Sequence, residues 1–282
     1  MKVVAWLKLL RPTQWLKNLM LVFPPFLGGG ILQHGMIGKM VIPISSFCLA
    51  SSSVYIFNDI LDSENDASHP VKKGRPIPSG AVSKKNAAGL SLVLCIAALI
   101  LAYPVSFPFF LLLIAYLVIS AVYSLKLKEL PIVDIFCISA GFLFRLQAGG
   151  EAFGIVISEW LFLSVFLLAI FLSTGKRLCE KHILGGEAGN HRKSLLRYPD
   201  GFLDGVMHMT GGAVLVTYTI YVIDHHVLIY TVPLCVFGLL RYILRVKSGY
   251  GGDPTDSLLR DGPLFTVGFL WAVMLGWGIY GR

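Results

Sequence analysis

The stretch from Tyr55 to Gly80, YIFNDILDSENDASHPVKKGRPIPSG, concentrates the side chains best suited to chemistry. Asn58, Asp59, Asp62 and Asp66 recur at spacings of three and four residues, which puts them on or near one face of a helix that continues that far. His69-Pro70 then ends the helix, because proline cannot donate a hydrogen bond and restricts the residue before it. Lys72, Lys73 and Arg75 follow on the connecting loop. Carboxylate and amide oxygens beside such a loop suit a hard cation carrying a phosphate, since Mg²⁺ takes oxygen ligands and keeps some of its waters. The bases would take the remaining phosphate charge, with arginine better suited than lysine to a bidentate contact. A solvated loop of mixed charge would use the same residue types. Three carboxylates and an asparagine in helical register favour a metal–phosphate site instead.

Four other places repeat the theme. Lys17 closes a basic N-terminal stretch, and Tyr123, Lys126, Lys128 and Asp134 lie in YSLKLKELPIVD. Arg145 sits among apolar residues in GFLFRLQAGG; an ionisable group there is expensive unless it is paired, for instance with Asp134, or faces a polar cavity. Lys176, Arg177 and Glu180 occupy one helical turn of STGKRLCEKH, although bases at a helix end are also what the macrodipole favours. Arg241, Asp256, Arg260 and Asp261 complete the set. Together these residues define one polar cavity opening to the cytoplasm. There is no Ser/His/Asp or Cys/His arrangement and no H-E-x-x-H pattern. Cys48, Cys95, Cys137, Cys179 and Cys235 lie in or beside apolar runs without C-x-x-C spacing and read as buried free thiols. His225-His226 reads as a solvated outer turn.

The elements that must position these residues are set by composition. Of 282 residues, 55% are hydrophobic and only 14% charged, and the mean hydropathy is +0.72. Soluble domains are about a quarter charged. Long apolar runs separated by short charged stretches specify a polytopic membrane protein, here one integral-membrane domain over 1–282. Residues 1–17, with Trp6 and Trp15 among lysines, read as an interfacial amphipathic lead-in. They carry no small-residue cleavage site and so do not read as a signal peptide. Apolar spans are expected near 18–33, 40–60, 87–105, 108–124, 132–149, 158–175, 206–224, 227–245 and 264–280, about nine helices, the first broken by Pro24-Pro25. With a cytoplasmic N-terminus, the loops near 61–86, 125–131, 176–205 and 246–263 fall on one side and hold most of the lysine and arginine, as the positive-inside rule requires in a cell membrane. The net charge of +8 therefore faces anionic headgroups or a soluble phosphorylated substrate. No soluble basic module exists to bind nucleic acid.

The pattern Asn58-Asp59, Asp62 and Asp66, followed by His69-Pro70, Lys72, Arg75-Pro76-Ile77 and Gly80, resembles the first signature of the UbiA-type intramembrane prenyltransferases. The resemblance implies nine helices around a central cavity, with aspartates that hold Mg²⁺ and a diphosphate. That family carries a second Asp-rich motif after its sixth helix, where this chain has Gly175-Lys176-Arg177 and Glu180. With LRPTQWLKN at 10–18, YSLKLK at 123–128 and GFLFR at 141–145, the whole chain is similar to the decaprenyl-phosphate phosphoribosyltransferase branch of the family. That branch implies a Mg²⁺-dependent pentosyl transfer from phosphoribosyl diphosphate to a polyprenyl phosphate in the membrane, and a product that feeds cell-wall synthesis. In this reading Asp59, Asp62 and Asp66 serve the metal–diphosphate with Asn58 beside them. Lys72 and Arg75 contact the diphosphate. Lys17, Tyr123, Lys126, Arg145, Lys176 and Arg177 are shared, undivided, between the ribose 5-phosphate and the lipid phosphate, while Glu180 meets a ribose hydroxyl or orients Lys176. Homo-oligomerisation is left open. The alternatives are prenyl transfer from a prenyl diphosphate to an aromatic or other small acceptor, and a non-enzymatic membrane carrier.

Overall fold

The computed structural model describes residues 2–68, 72–184, 193–223 and 228–281. Its regular elements are all helical, as a bilayer demands of a chain whose backbone polar groups must be satisfied internally. A short helix α1 (Lys2–Leu10) leads into a 3-10 helix (Pro12–Val22) and α2 (Phe23–Leu27). Then come α3 (Met36–Leu61), α4 (Ser63–Ser68), α5 (Lys84–Ala102), α6 (Phe107–Leu125), α7 (Val133–Phe153) and α8 (Glu159–Leu184). The chain continues through α9 (Lys193–Leu196), α10 (Phe202–Ile223), α11 (Val232–Lys247), α12 (Pro254–Arg260) and α13 (Gly262–Tyr280). Among the described residues eight helices are long and apolar enough to cross a membrane: α3, α5, α6, α7, α8, α10, α13, and α11 with the turn preceding it.

Eight, and not nine, is the count by length and composition, and the difference lies at 18–33. There the chain is a 3-10 helix that passes into the five residues of α2 and stops at Gly28. Pro12 opens the 3-10 helix, Pro24-Pro25 sit in the first turn of α2, and Gly28 to Gly30 end it. At about 2.0 Å per 3-10 residue and about 1.5 Å per α residue, the pair still covers roughly 30 Å, close to the hydrocarbon thickness. Such irregular backbone is tolerated at depth only where protein covers it. Accordingly Asn18, Leu21, Pro24 and Pro25 are buried. Serines of α3 supply the polar attachment: Ser52 accepts from Trp15 Nε1 at 2.9 Å and donates to the Leu10 carbonyl at 2.8 Å, while Asn18 donates to Ser51 at 3.1 Å.

A second difference concerns the acidic motif. The helix that carries it ends at Leu61 and a new one begins at Ser63, so the four polar residues do not continue along one straight face. Asp62 is the joint, with φ −88° and ψ 0°. His69-Pro70 lies outside the described residues, as does His225-His226. All five cysteines are free, with Cys179 buried and the others half-buried.

The close seat of the 3-10 helix on α7 depends on Gly149, where an added Cβ would stand 2.3 Å from the Leu21 carbonyl oxygen. Backbone cannot yield as a flexible side chain does. Gly149→Val should therefore cost about 1–3 kcal/mol and lower the detergent melting temperature, whereas Gly154→Asn, at a left-handed position with open space around it, should melt near wild type. A wild-type melt for Gly149→Val would refute the tight seat.

Candidate active site

Four helices, the N-terminal segment and the turn at 72–75 line a half-open cavity of about 270 Å³. Asn58 and Asp62 come from the end of α3, Tyr116 and Tyr123 from α6, Arg145 from α7, and Lys176, Arg177 and Glu180 from α8. Arg11, Lys17, Lys72 and Arg75 also line it. Ten of the residues singled out by sequence thus line one cavity, whereas Arg241, Asp256, Arg260 and Asp261 lie outside its wall, with Asp261 paired to Arg241 and Arg245. Lys126 is likewise exposed and outside the cavity wall, and Lys128 instead reaches in to pair with Asp62.

The acidic motif divides into two layers. Asn58 and Asp62 form the wall, joined by an Asn58 Nδ2 to Asp62 hydrogen bond of 2.9 Å. Asp59 and Asp66 lie behind, 1% and 3% exposed, and are bound by cations. Arg75 donates to Asp59 at 3.0 Å and to Asp66 at 2.5 Å, Arg11 pairs with Asp59, and Lys72 stands 3.8 Å from Asp66. Arg11 adopts a left-handed backbone (φ 51°, ψ 58°) to make this contact while stacking on Tyr55; such a conformation is uncommon outside glycine. Among the described residues no three acidic, histidine or cysteine side chains converge as a ready-made metal cluster.

Lys176 and Arg177 are neighbours with separate tasks. Arg177 is 1% exposed and donates to Asp134 at 2.7 Å, Glu180 at 2.8 Å and the Tyr123 hydroxyl at 2.9 Å. Asp134 therefore belongs to Arg177 and not to Arg145. Its other oxygen accepts from Tyr198 at 2.7 Å. That same hydroxyl accepts from the Ile132 N–H at 2.6 Å, where Ile132 (φ 68°, ψ −50°) makes the strained γ-turn that starts α7. Lys176 points elsewhere, to Asp253 at 3.0 Å. Gly175 precedes them because a Cβ there would meet Tyr242 at 2.6 Å.

Among the described residues Arg145, 4% exposed, makes only neutral contacts: Asn18 Oδ1 at 2.7 Å, the Gly141 carbonyl at 2.7 Å and the Tyr116 hydroxyl at 2.9 Å. Asp253, Asn18 and Tyr116 escaped the sequence reading. Asp253 alone had a usable signal, an aspartate before Pro254 at a helix start. It caps α12, accepting from the Thr255 and Asp256 amides. Burial by itself would push its carboxyl up, but the Lys176 and Lys17 ammonium groups hold it well below the ordinary carboxylate range.

Membrane-length helices around a half-open cavity lined by both charge signs mark a multi-pass membrane protein. The chain belongs to the UbiA prenyltransferase family, whose pattern matches residues 22–273, and it is a transferase. It is 30% identical over 296 residues, 99% of this chain and 93% of the relative, to the decaprenyl-phosphate phosphoribosyltransferase of Mycolicibacterium smegmatis. To the protein of the same name from Mycobacterium tuberculosis it is 31% identical, over 97% of this chain and 94% of that one. Among solved structures, a UbiA homolog from Archaeoglobus fulgidus bound to GPP and Mg²⁺ superposes with a TM-score of 0.75 at 20% identity, covering 99% of this chain and all of that one.

Breaking a buried ion pair from one side leaves an uncompensated charge and costs roughly 3–5 kcal/mol. Glu180 remains beside Arg177, so Asp134→Asn should fall near the lower figure, read as a drop in the melting temperature of the detergent-solubilised protein. An unchanged melt would show that the Asp134–Arg177 pair contributes little.

Proposed function

We propose that the chain transfers a 5-phosphoribosyl group from phosphoribosyl diphosphate to a polyprenyl phosphate, releasing diphosphate. The observation that carries this reading is the two-signed cavity: oxygen donors at the end of α3 face lysine and arginine at the end of α8, where the resembled family has a second set of carboxylates. Two metal-bound carboxylate motifs suit one diphosphate; one such motif opposite bases suits a diphosphate together with a second phosphorylated group. The names of the relatives agree with it.

The donor set fits Mg²⁺. Asn58 Oδ1 accepts no hydrogen bond from the described residues, and the Asp62 carboxylate beside it is on the wall. Hard oxygen ligands in small number, completed by water and substrate phosphate, are what Mg²⁺ takes, and when bound it supplies neutralisation of the leaving diphosphate. Asn58 and Asp62 would hold it directly, and Asp59 and Asp66 directly or through water. Asp59 and Asp66 also position Arg75, which with Lys72 contacts the diphosphate. An oxygen of the lipid phosphate forms the new bond to the anomeric carbon as the bond to diphosphate breaks. That nucleophile is already an anion, so no general base is required. Developing negative charge on the leaving group is met by prepositioned cations. Arg177 holds Tyr123 and Glu180 at the ribose, and Lys126, exposed and outside the cavity wall, adds to the positive field that steers anions. The positive-inside rule applied to the basic loops supports a cytoplasmic mouth in a cell membrane, within one integral-membrane domain.

Purified protein in detergent with Mg²⁺, phosphoribosyl diphosphate and polyprenyl phosphate should yield a phosphoribosylated lipid and free diphosphate. EDTA should abolish product. Asp62→Asn should lower turnover by about 10²-fold or more while melting close to wild type. Consumption of a prenyl diphosphate with an aromatic acceptor, and no phosphoribosylated lipid, would overturn the reading in favour of prenyl transfer.

A further inference from the structure

We infer that Lys17, Arg145 and Lys176 form a subsite for a phosphate monoester, and that Asp253 occupies it as an internal anion until the monoester displaces one of its oxygens. This rests on the transferase reading above and divides bases that the sequence left undivided.

Arg145 is the starting point. A buried cation on a cavity wall is costly without an anion, and no described carboxylate pairs with it. Its guanidinium has five N–H donors, and the bonds to Asn18, Gly141 and Tyr116 use one from each nitrogen. Two donors stay available beside the cavity. Lys17, next in sequence to Asn18, lines the same cavity and is repelled by Lys176, Arg145 and Arg11. Its attraction comes from Asp253 at 3.8 Å, the same Oδ2 atom that Lys176 meets at 3.0 Å. Lys17 and Lys176 therefore share one oxygen of Asp253, and Arg145 lies near enough to Lys17 to repel it, so three cations gather beside a single carboxylate.

The charges nearby do not cancel this excess. Arg177 is neutralised by Asp134, with Glu180 alongside, and Glu180 also attracts Lys176. Lys17, Arg145, Lys176 and Arg177 thus face Asp134, Glu180 and Asp253. When Asp253 withdraws, two positive charges are left over, which matches the roughly −1.5 to −2 carried by a phosphate monoester at neutral pH. A neutral ribose or prenyl group would leave them unanswered.

Asp253 is built to be displaced without unfolding its surroundings. Its Oδ1 caps α12 and its Oδ2 takes the lysines, so the two tasks fall on different atoms. The backbone beside it is pinned. Tyr242 donates to the Gly252 carbonyl at 2.7 Å, and Gly252 packs so tightly on α8 that a Cβ would stand 2.7 Å from Lys176 Cα. Rotation of the Asp253 side chain, which also gives up its cap on α12, vacates the subsite while the loop stays in place.

Two ligands carry this chemistry: the 5-phosphate of the donor and the phosphate of the lipid. The test measures affinity for ribose 5-phosphate and for a short-chain polyprenyl monophosphate, separately and without Mg²⁺, by calorimetry on the full chain in detergent. Asp253→Asn keeps an oxygen for the helix cap and removes the competing charge. It should tighten one of the two ligands about tenfold, and the ligand that responds identifies the source. Lys176→Gln should weaken that ligand by at least about tenfold, with melting curves confirming that both variants fold. Affinities for both ligands within twofold of wild type in both variants would overturn the subsite, as would weaker binding of both in Asp253→Asn. If Asp253→Asn tightens a monophosphate while the wild type transfers no phosphoribosyl group, the subsite stands and the reaction reading falls. Product formation with neither affinity altered gives the opposite result.

Discussion

The buried guanidinium of Arg177 is the constraint from which the rest of the site follows. A charge taken out of water costs several kcal/mol unless partners surround it, and here each partner comes from a different place in the chain. Asp134 lies in the first turn of α7, Tyr123 in the last turns of α6 and Glu180 one turn further along α8. Three helix ends are thereby fixed to within hydrogen-bond tolerance. The strained turn at Ile132 is held by the Tyr198 hydroxyl, which also binds Asp134, so the loop that delivers Lys128 to Asp62 inherits the same anchor. The charge of Arg177 is spent on architecture, which leaves Lys176 free to face the cavity.

The same logic shapes the opposite wall. Asp59 and Asp66 hold Arg75 between them, and Arg11 joins Asp59 through a backbone conformation that few non-glycine residues adopt. Carboxylates behind and cations in front give a surface whose charge is compensated before any ligand arrives. A highly charged substrate can then enter by exchanging partners, without first meeting isolated charges in a low-dielectric setting. Arg145 breaks the pattern by having dipoles for neighbours in place of a carboxylate.

Much of this architecture was legible because the bilayer makes strong demands on sequence. Spans near 40–60 and 108–124 read correctly since hydrocarbon thickness fixes their length and composition. At 18–33 the break at Pro24-Pro25 was legible as well, but the 3-10 path leading into it was not, because hydropathy does not report backbone type. The acidic motif was found by residue type, but its spacing splits it between two faces: Asn58 and Asp62, four apart, line the wall, while Asp59 and Asp66, seven apart, lie behind. Lys126 and Lys128 were indistinguishable in a basic loop until the turn after α6 sent one outward and the other to Asp62. Lys176 and Arg177 were likewise equivalent under a macrodipole argument, which is blind to the direction a side chain takes. Arg145 and Asp134 both stood out as polar residues amid apolar ones. Only packing shows that they are not each other's partner.

The departure at Gly175-Lys176-Arg177 gains its meaning from these contacts. A pair of carboxylates at this place could hold a second metal, whereas lysine and arginine reverse the local sign. Reversal would be untenable in a closed apolar interior, yet here Arg177 is absorbed by Asp134 and Lys176 by Asp253. Gly175 completes the change by admitting the Tyr242 ring, whose hydroxyl fastens the Gly252 carbonyl beside Asp253. The substituted bases and the acids that restrain them are therefore parts of one arrangement, which fixes the balance of charge at the end of α8.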